Sequence, residues 1–265
     1  MKPIKIWEKG KIAWYASKAD QAYWDSLWAS QISTDYFARY RQGELDEYAP
    51  FFEKHLKKSD RIIEAGCGTG RFVVALKARA YDNVQGIDWG KPTIEKVKAL
   101  FPDLPVEVGD ATKIEVDDGY YDAYISLGVV EHRRAGPEPF LYEAYRVLKP
   151  GGVMIISVPY INPLRNLKKT LGSYRDRNIP GLDFYQFAYG KEEFTHLLNI
   201  AGFEVIIAQG ISGLYGIKEE IPLLATLFNH LPGGWRIEKS LRKWDYLNKF
   251  GHMLIFVCEK QGVEN

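Results

Sequence analysis

An acid followed by three alternate glycines is the clearest chemistry in this chain: Glu64-Ala65-Gly66-Cys67-Gly68-Thr69-Gly70. Residues 61–64 ahead of the glycines read as a short buried strand. Phe72-Val73-Val74-Ala75-Leu76 behind them opens an apolar helix. A glycine turn between strand and helix lets backbone approach a ligand with no Cβ in the way. The helix start adds unpaired N–H groups and the positive end of its dipole. Such a turn binds nucleotides, and what is missing narrows which one. A dinucleotide fingerprint needs glycine at position 71, where this chain has Arg71, and no Gly-Lys-Ser/Thr of a Walker loop follows. Two further acids fall at strand ends. Asp88 closes residues 84–88, where a carboxylate can accept both ribose hydroxyls. Asp110 closes residues 106–110, where it can accept from an exocyclic amine such as adenine N6.

A second group of candidates follows the fourth strand, residues 121–127, as Gly128-Val129-Val130-Glu131-His132. An ordinary histidine titrates near neutral pH, so His132 is a candidate general base, with Glu131 orienting it or acting alone. A helix-end packing histidine is the alternative. Tyr160, Tyr185 and Tyr189 are candidates to hydrogen-bond an acceptor, against a plain role as core aromatics. A basic run, Arg165, Lys168, Lys169, Arg175 and Arg177, lies near them and suits an anionic substrate group or a solvated loop.

Alternating strands and helices must position these residues. Helices are expected over 71–79, 92–101, 139–148 and 191–201, with strands at 84–88, 106–110, 121–127, 153–158, 203–208 and 252–258. This rhythm predicts a doubly wound, mostly parallel Rossmann-like sheet of seven strands with an antiparallel last strand. Ligands of such a sheet bind at the carboxyl ends of its strands, so Gly66, Asp88 and Asp110 should converge. Residues 1–58 are expected to form an N-terminal helical lid, from helices over 21–31 and 34–56, the second broken at Pro50. It carries Trp7, Trp14, Tyr15, Tyr23, Trp24, Trp28, Tyr36, Phe37 and Tyr40. The main domain spans 59–265, with two cap insertions: a loop-like one at about 160–190, and one at about 210–251 with an amphipathic 221–231 and a basic 235–250.

The composition excludes several classes. With a net charge of +1 over 265 residues, no electrostatic footprint for nucleic acid or an anionic membrane stands out. Two cysteines make neither a disulfide framework nor a metal cluster, so no metal is expected and a reducing cytoplasm is the expected setting. No signal-peptide core and no bilayer-length apolar run is present. Aromatics at 14% are the excess, enough to line a pocket for an apolar or ring-bearing acceptor as well as a core.

Taken together, these motifs resemble those of the class I S-adenosylmethionine-dependent methyltransferases. Glu64 to Gly70 is similar to that family's motif I, Gly109-Asp110-Ala111 to its adenine segment, Tyr121 to Leu127 to motif IV, and Lys149-Pro150-Gly151-Gly152 to the turn into its fifth strand. The resemblance implies S-adenosylmethionine as methyl donor and S-adenosylhomocysteine as product. The residues it implies for binding are Glu64, Gly66, Cys67, Gly68, Gly70, Asp88, Trp89, Asp110, Ala111 and Leu127, with Glu64 at the methionine end. Val129-Val130-Glu131-His132 is similar to the ubiquinone- and menaquinone-biosynthesis branch. Some quinone O-methyltransferases hold a metal through E-x-x-E-H, but this chain has Gly128 in place of the first acid. The expected function is methyl transfer to O or N of a small-molecule acceptor. The rivals are methylation of RNA or protein, and a non-catalytic cofactor-binding protein. Peripheral membrane contact through 221–249 and the oligomeric state stay open.

Overall fold

Short apolar runs bounded by turn residues become the sheets of the protein. A computed structural model describes residues 3–16, 28, 32–175, 179, 181–231, 233–241 and 244–262. In chain order the strands are β1 (Ile4–Glu8), β2 (Lys11–Ala16), β3 (Ile62–Ala65), β4 (Val84–Asp88), β5 (Val106–Val108), β6 (Tyr121–Leu127), β7 (Leu148–Pro159), β8 (Asp183–Ala188), β9 (Phe203–Ile211) and β10 (Met253–Lys260). Seven of them form one sheet in the order β5-β4-β3-β6-β7-β10-β9. The pairs from β5 to β7 are parallel, and β10 runs antiparallel between β7 and β9. This is the expected mixed sheet. β3 is buried at all four positions, as a strand covered on both faces must be.

Helices cover the two faces. On one, Phe72, Val73 and Leu76 of helix Arg71–Ala78 and Ile94 and Val97 of helix Lys91–Leu100 pack with Ile62, Ala123 and Ile155. On the other, Leu141, Ala144 and Val147 of helix Glu138–Val147 and Phe194 and Leu198 of helix Lys191–Ile200 pack with Ile63, Ile156 and Phe256.

Residues 1–58 depart from the expected helical lid. β1 and β2 form an antiparallel hairpin that adds β8 as a third strand, giving a separate small sheet β1-β2-β8. The two residues between the strands, Lys9 and Gly10, both have positive φ, 49° and 80°. That is the geometry of a two-residue hairpin turn, usually written with Asn or Asp before Gly. Lysine at the first position hides the turn from sequence reading. The helical part starts later, with Thr34–Phe37 and Ala49–His55 joined by single 3-10 turns. Pro50 occupies the first turn of helix Ala49–His55 and so starts a helix where a break was expected. The expected helix over 21–31, with Tyr23 and Trp24, lies outside the described residues save Trp28. The rings of Tyr40, Tyr48 and Phe52 meet Phe72 at 6.2, 5.4 and 5.8 Å, so this segment clamps the helix that follows the glycine turn.

The first insertion is more ordered than a loop. It holds helix Pro163–Thr170 and strand β8. The second holds helices Gly213–Glu220, Pro222–His230 and Gly234–Leu241 and a 3-10 turn at Asp245–Phe250. Arg165, fully buried, ties the two together. Its Nε donates to Glu220 Oε1 at 3.0 Å and its Nη1 to the Tyr160 carbonyl at 2.6 Å. Tyr174 donates to Glu220 Oε2 at 2.7 Å, and Lys5 of β1 reaches Glu219 at 2.7 Å. Burial alone would raise the Glu220 carboxyl. Lys5, Lys168 and Tyr174 outweigh it and hold the group down at about 2. Arg177 of the basic run lies outside the described residues.

Candidate active site

The glycine turn is built by backbone bonds to the neighbouring strand end. Gly66 and Cys67 donate their N–H groups to the Ile87 carbonyl at 2.8 and 2.9 Å, and Gly68 N–H donates to Asp88 Oδ2 at 2.8 Å. Asp88 Oδ1 accepts from Gly90 N–H at 2.9 Å. The ribose candidate is therefore also the strut that shapes the turn. Gly66 sits at φ +81°, and a Cβ there would fall 2.4 Å from the Val129 side chain. Only glycine satisfies both constraints.

Above this turn lies a cavity of about 700 Å³, at the carboxyl ends of β3, β4 and β6. Glu64, Gly66, Cys67, Gly68, Asp88, Trp89, Asp110, Ala111, Leu127 and His132 line it. The structure thus brings together the candidates from four separate segments, as the strand-end argument requires. Gly70 is not in the lining. It caps helix Arg71–Ala78 with φ +69°. Asp110 Oδ1 also accepts from the Thr112 backbone and hydroxyl, both at 2.7 Å, so it turns the chain as well as facing the cavity.

Glu64 is the most informative of these residues. It is buried, and its Oε2 has no hydrogen-bond partner. Burial lifts its carboxyl to about 8, against the pull of the nearby Arg71 charge. A buried carboxylate oxygen without a partner costs free energy that a cationic ligand would remove. The α-ammonium group of a methionine moiety fits that need. The residues present thus fit S-adenosylmethionine: an orphaned acid for its amine, Asp88 for its ribose hydroxyls, and Asp110 with exposed Trp89 for its base.

His132 lines the cavity from the 3-10 turn Val130–His132. Its Nδ1 lies 2.7 Å from the Tyr185 carbonyl, and the Gly128 carbonyl is a second backbone partner of the ring. Desolvation lowers its pKa to about 4, although the Tyr185 and Gly128 carbonyls favour the charged form. Glu131 lies behind it, outside the lining, with Oε1 4.0 Å from His132 Nε2. Burial lifts Glu131 to about 8, and its Oε2 is unpartnered.

The three tyrosine candidates are not in the lining. Tyr189 is fully buried in the core against Phe187 and Phe194, where its backbone N–H donates to the Pro159 carbonyl at the end of β7. Tyr160 borders two shallower grooves by Lys191 instead. Tyr185 acts from behind, with its carbonyl on His132 Nδ1 and its ring edge-on to the imidazole at 5.1 Å. In their place the lining contains Trp28, Arg71, Phe72, Val129, Arg133 and Phe140. Trp28 and Arg71 stood out in sequence only as an aromatic and as a missing glycine. Nothing local in the sequence marks Phe140, which comes from the helix after the site.

This fold and site define a Rossmann-like domain with a nucleoside cavity at its strand ends. Residues 63–156 match the family described as a methyltransferase domain. A probable S-adenosylmethionine-dependent methyltransferase of Mycolicibacterium smegmatis is 31% identical over 158 residues, 60% of this chain and 57% of that protein. A demethylmenaquinone methyltransferase of Staphylococcus epidermidis is 26% identical over 166 residues, 61% of this chain and 68% of that one. A ubiquinone biosynthesis O-methyltransferase of Maricaulis maris is 35% identical over 100 residues, 36% of this chain and 39% of that one. The match to the mycobacterial relative therefore spans little more than half its length. Among solved structures, a protein of Pyrococcus horikoshii aligns with a TM-score of 0.55 at 19% identity, over 86% of this chain and 92% of that one. A methyltransferase complexed with the Trm112 activator of Haloferax volcanii aligns at 0.59 and 17%, over 94% of this chain and all of that one. Both likenesses carry the fold alone.

Proposed function

We propose that this chain is an S-adenosylmethionine-dependent methyltransferase acting on O or N of a small-molecule acceptor. The observation that carries this reading is the orphaned, buried Glu64 carboxylate in the same cavity as Asp88 and Asp110. The donor supplies a methyl group already activated on a sulfonium, so the protein's task is alignment more than bond activation. Glu64 and Asp88 hold the two ends of the donor. Leu127 and Val129 wall it, and the apolar lining keeps water from the reacting line. His132 lines the cavity with its ring held by the Tyr185 and Gly128 carbonyls, so it presents a fixed surface against which an acceptor hydroxyl or amine can be placed. With a pKa near 4 it is a weak base at neutral pH, and its main effect is to orient the nucleophile. Small-molecule specificity is supported by the quinone methyltransferases among the relatives. The near-neutral net charge also disfavours an RNA acceptor.

Calorimetry with S-adenosylmethionine, followed by a mass-shift screen of metabolite extract with isotopically labelled donor, tests the proposal. Donor binding and one labelled small product are expected. Tight donor binding with no labelled product from any extract would leave the cofactor site standing and overturn the transferase reading.

A further inference from the structure

We infer that the second insertion docks this protein on the surface of an anionic lipid bilayer. Helix Pro222–His230 turns Leu223 (76% exposed) and Leu227 outward one turn apart, and Leu231 continues the same row. Helix Gly234–Leu241, packed against it, adds exposed Trp235 (64%) and Ile237, and Tyr246 (71%) follows in the 3-10 turn. So many large apolar side chains on one excursion of the chain exceed the scattered exposure normal for a surface.

The charges around these residues select the occupant. Exposed Arg236, Lys239 and Lys249 accompany them, and Glu238, the acid between the first two, is bridged to Lys218. Arg236 lies over the Trp235 ring at 5.2 Å, and Lys249 over the Tyr246 ring at 3.6 Å. Apolar side chains at the tip, with tryptophan, tyrosine and cations around them, match the layers of a bilayer interface: acyl chain, glycerol and anionic headgroup. A second copy of this chain fits less well, because a shared face would set these cations against each other. The helices have 9 and 8 residues, so they lie on the surface and do not cross it.

Topology places this face near the chemistry. β9 and β7 both run antiparallel to β10, so they run in the same direction. The insertion therefore leaves β9 at the sheet edge where β3, β4 and β6 open into the cavity. A protein docked this way holds that edge toward the bilayer, where an apolar acceptor would be found.

Sedimentation of the full chain with phosphatidylcholine vesicles, with and without phosphatidylglycerol, tests the inference. Pelleting is expected with the anionic vesicles and should weaken as salt is raised. Leu223→Glu with Leu227→Glu should lower partitioning roughly tenfold or more. Arg236→Gln with Lys239→Gln should lower it by about fivefold for each charge removed. Both variants should keep the circular dichroism spectrum and the donor affinity, so failure here is separate from failure of the cofactor site. No pelleting, unchanged pelleting of either variant, or a concentration-dependent dimer that the leucine variant breaks without vesicle binding would overturn it.

Discussion

The parallel half of the sheet and the cap built from the N-terminal hairpin and the two insertions are held together by different physics. In the parallel half, crossover helices connect buried strands, and backbone bonds place the chemistry: Gly66 and Cys67 on the Ile87 carbonyl, Gly68 on Asp88. In the cap, side chains far apart in sequence do the joining. Arg165 bonds Glu220 and the Tyr160 carbonyl, while Lys5 and Tyr174 complete the cluster. A site set by backbone is rigid and tolerates little change. A cap set by buried charges can be altered while leaving the turn intact.

Breaking the cap should cost most. Arg165→Met strands Glu219 and Glu220 beside an apolar side chain, and should destabilise the protein by about 3–5 kcal/mol in urea unfolding. The donor affinity of the remaining folded fraction should stay close to that of the parent. A large loss of affinity would show that cap and turn are one unit and would end the comparison.

The turn should fail differently. Gly66→Ala forces positive φ on alanine and drives a Cβ into Val129, a stability cost of roughly 1–3 kcal/mol with donor binding abolished in calorimetry. Asp88→Asn removes the charge and sets an amide NH2 against one of the two backbone N–H groups that the carboxylate accepts, so it should weaken donor binding by at least about 1.5–3 kcal/mol. Unchanged affinity would sink the ribose role of Asp88.

Protons give a signal that needs no substitution. Glu64 stands near 8, so it is mostly protonated at neutral pH in the ligand-free protein. A cationic donor should ionise it and release up to about one proton, read as a buffer-dependent binding enthalpy. Glu64→Gln should abolish that release. The same raised groups set the pH trend. Glu64 and Glu131, both near 8 when folded and 4.5 when unfolded, make the native state bind more protons between those values. Their contribution to stability is therefore full below about 4.5 and is lost as pH rises toward 8. His132, lowered to about 4 from 6.5, acts in the opposite sense below 6.5. Thermal midpoints of the ligand-free protein should thus fall from pH 6.5 to 8, and the donor should offset the fall.

The fold also shows where shape stops informing. A chain named as a cyclase shares this fold with a TM-score of 0.51 over 80% of this chain. The reaction must therefore be read from the site and not from the sheet.

Local patterning determined the seven-stranded sheet, its antiparallel last strand, and the place of Glu64, Gly66, Gly68, Asp88 and Asp110 around one strand-end cavity. Each of these depends on backbone needs that a few neighbouring residues express: burial on both faces, positive φ, an acid at a strand end. Tertiary structure alone decided the rest. It turned residues 4–16 into a hairpin through a Lys9-Gly10 turn that lacks the usual signal. It withdrew Tyr189 into the core, set Tyr185 behind His132, and brought Phe140 and Trp28 to the cavity. It also lowered the histidine's basicity and raised both glutamates by burial. Desolvation and long-range packing sum over neighbours that no local window contains, so the acceptor side of this protein is written only in three dimensions.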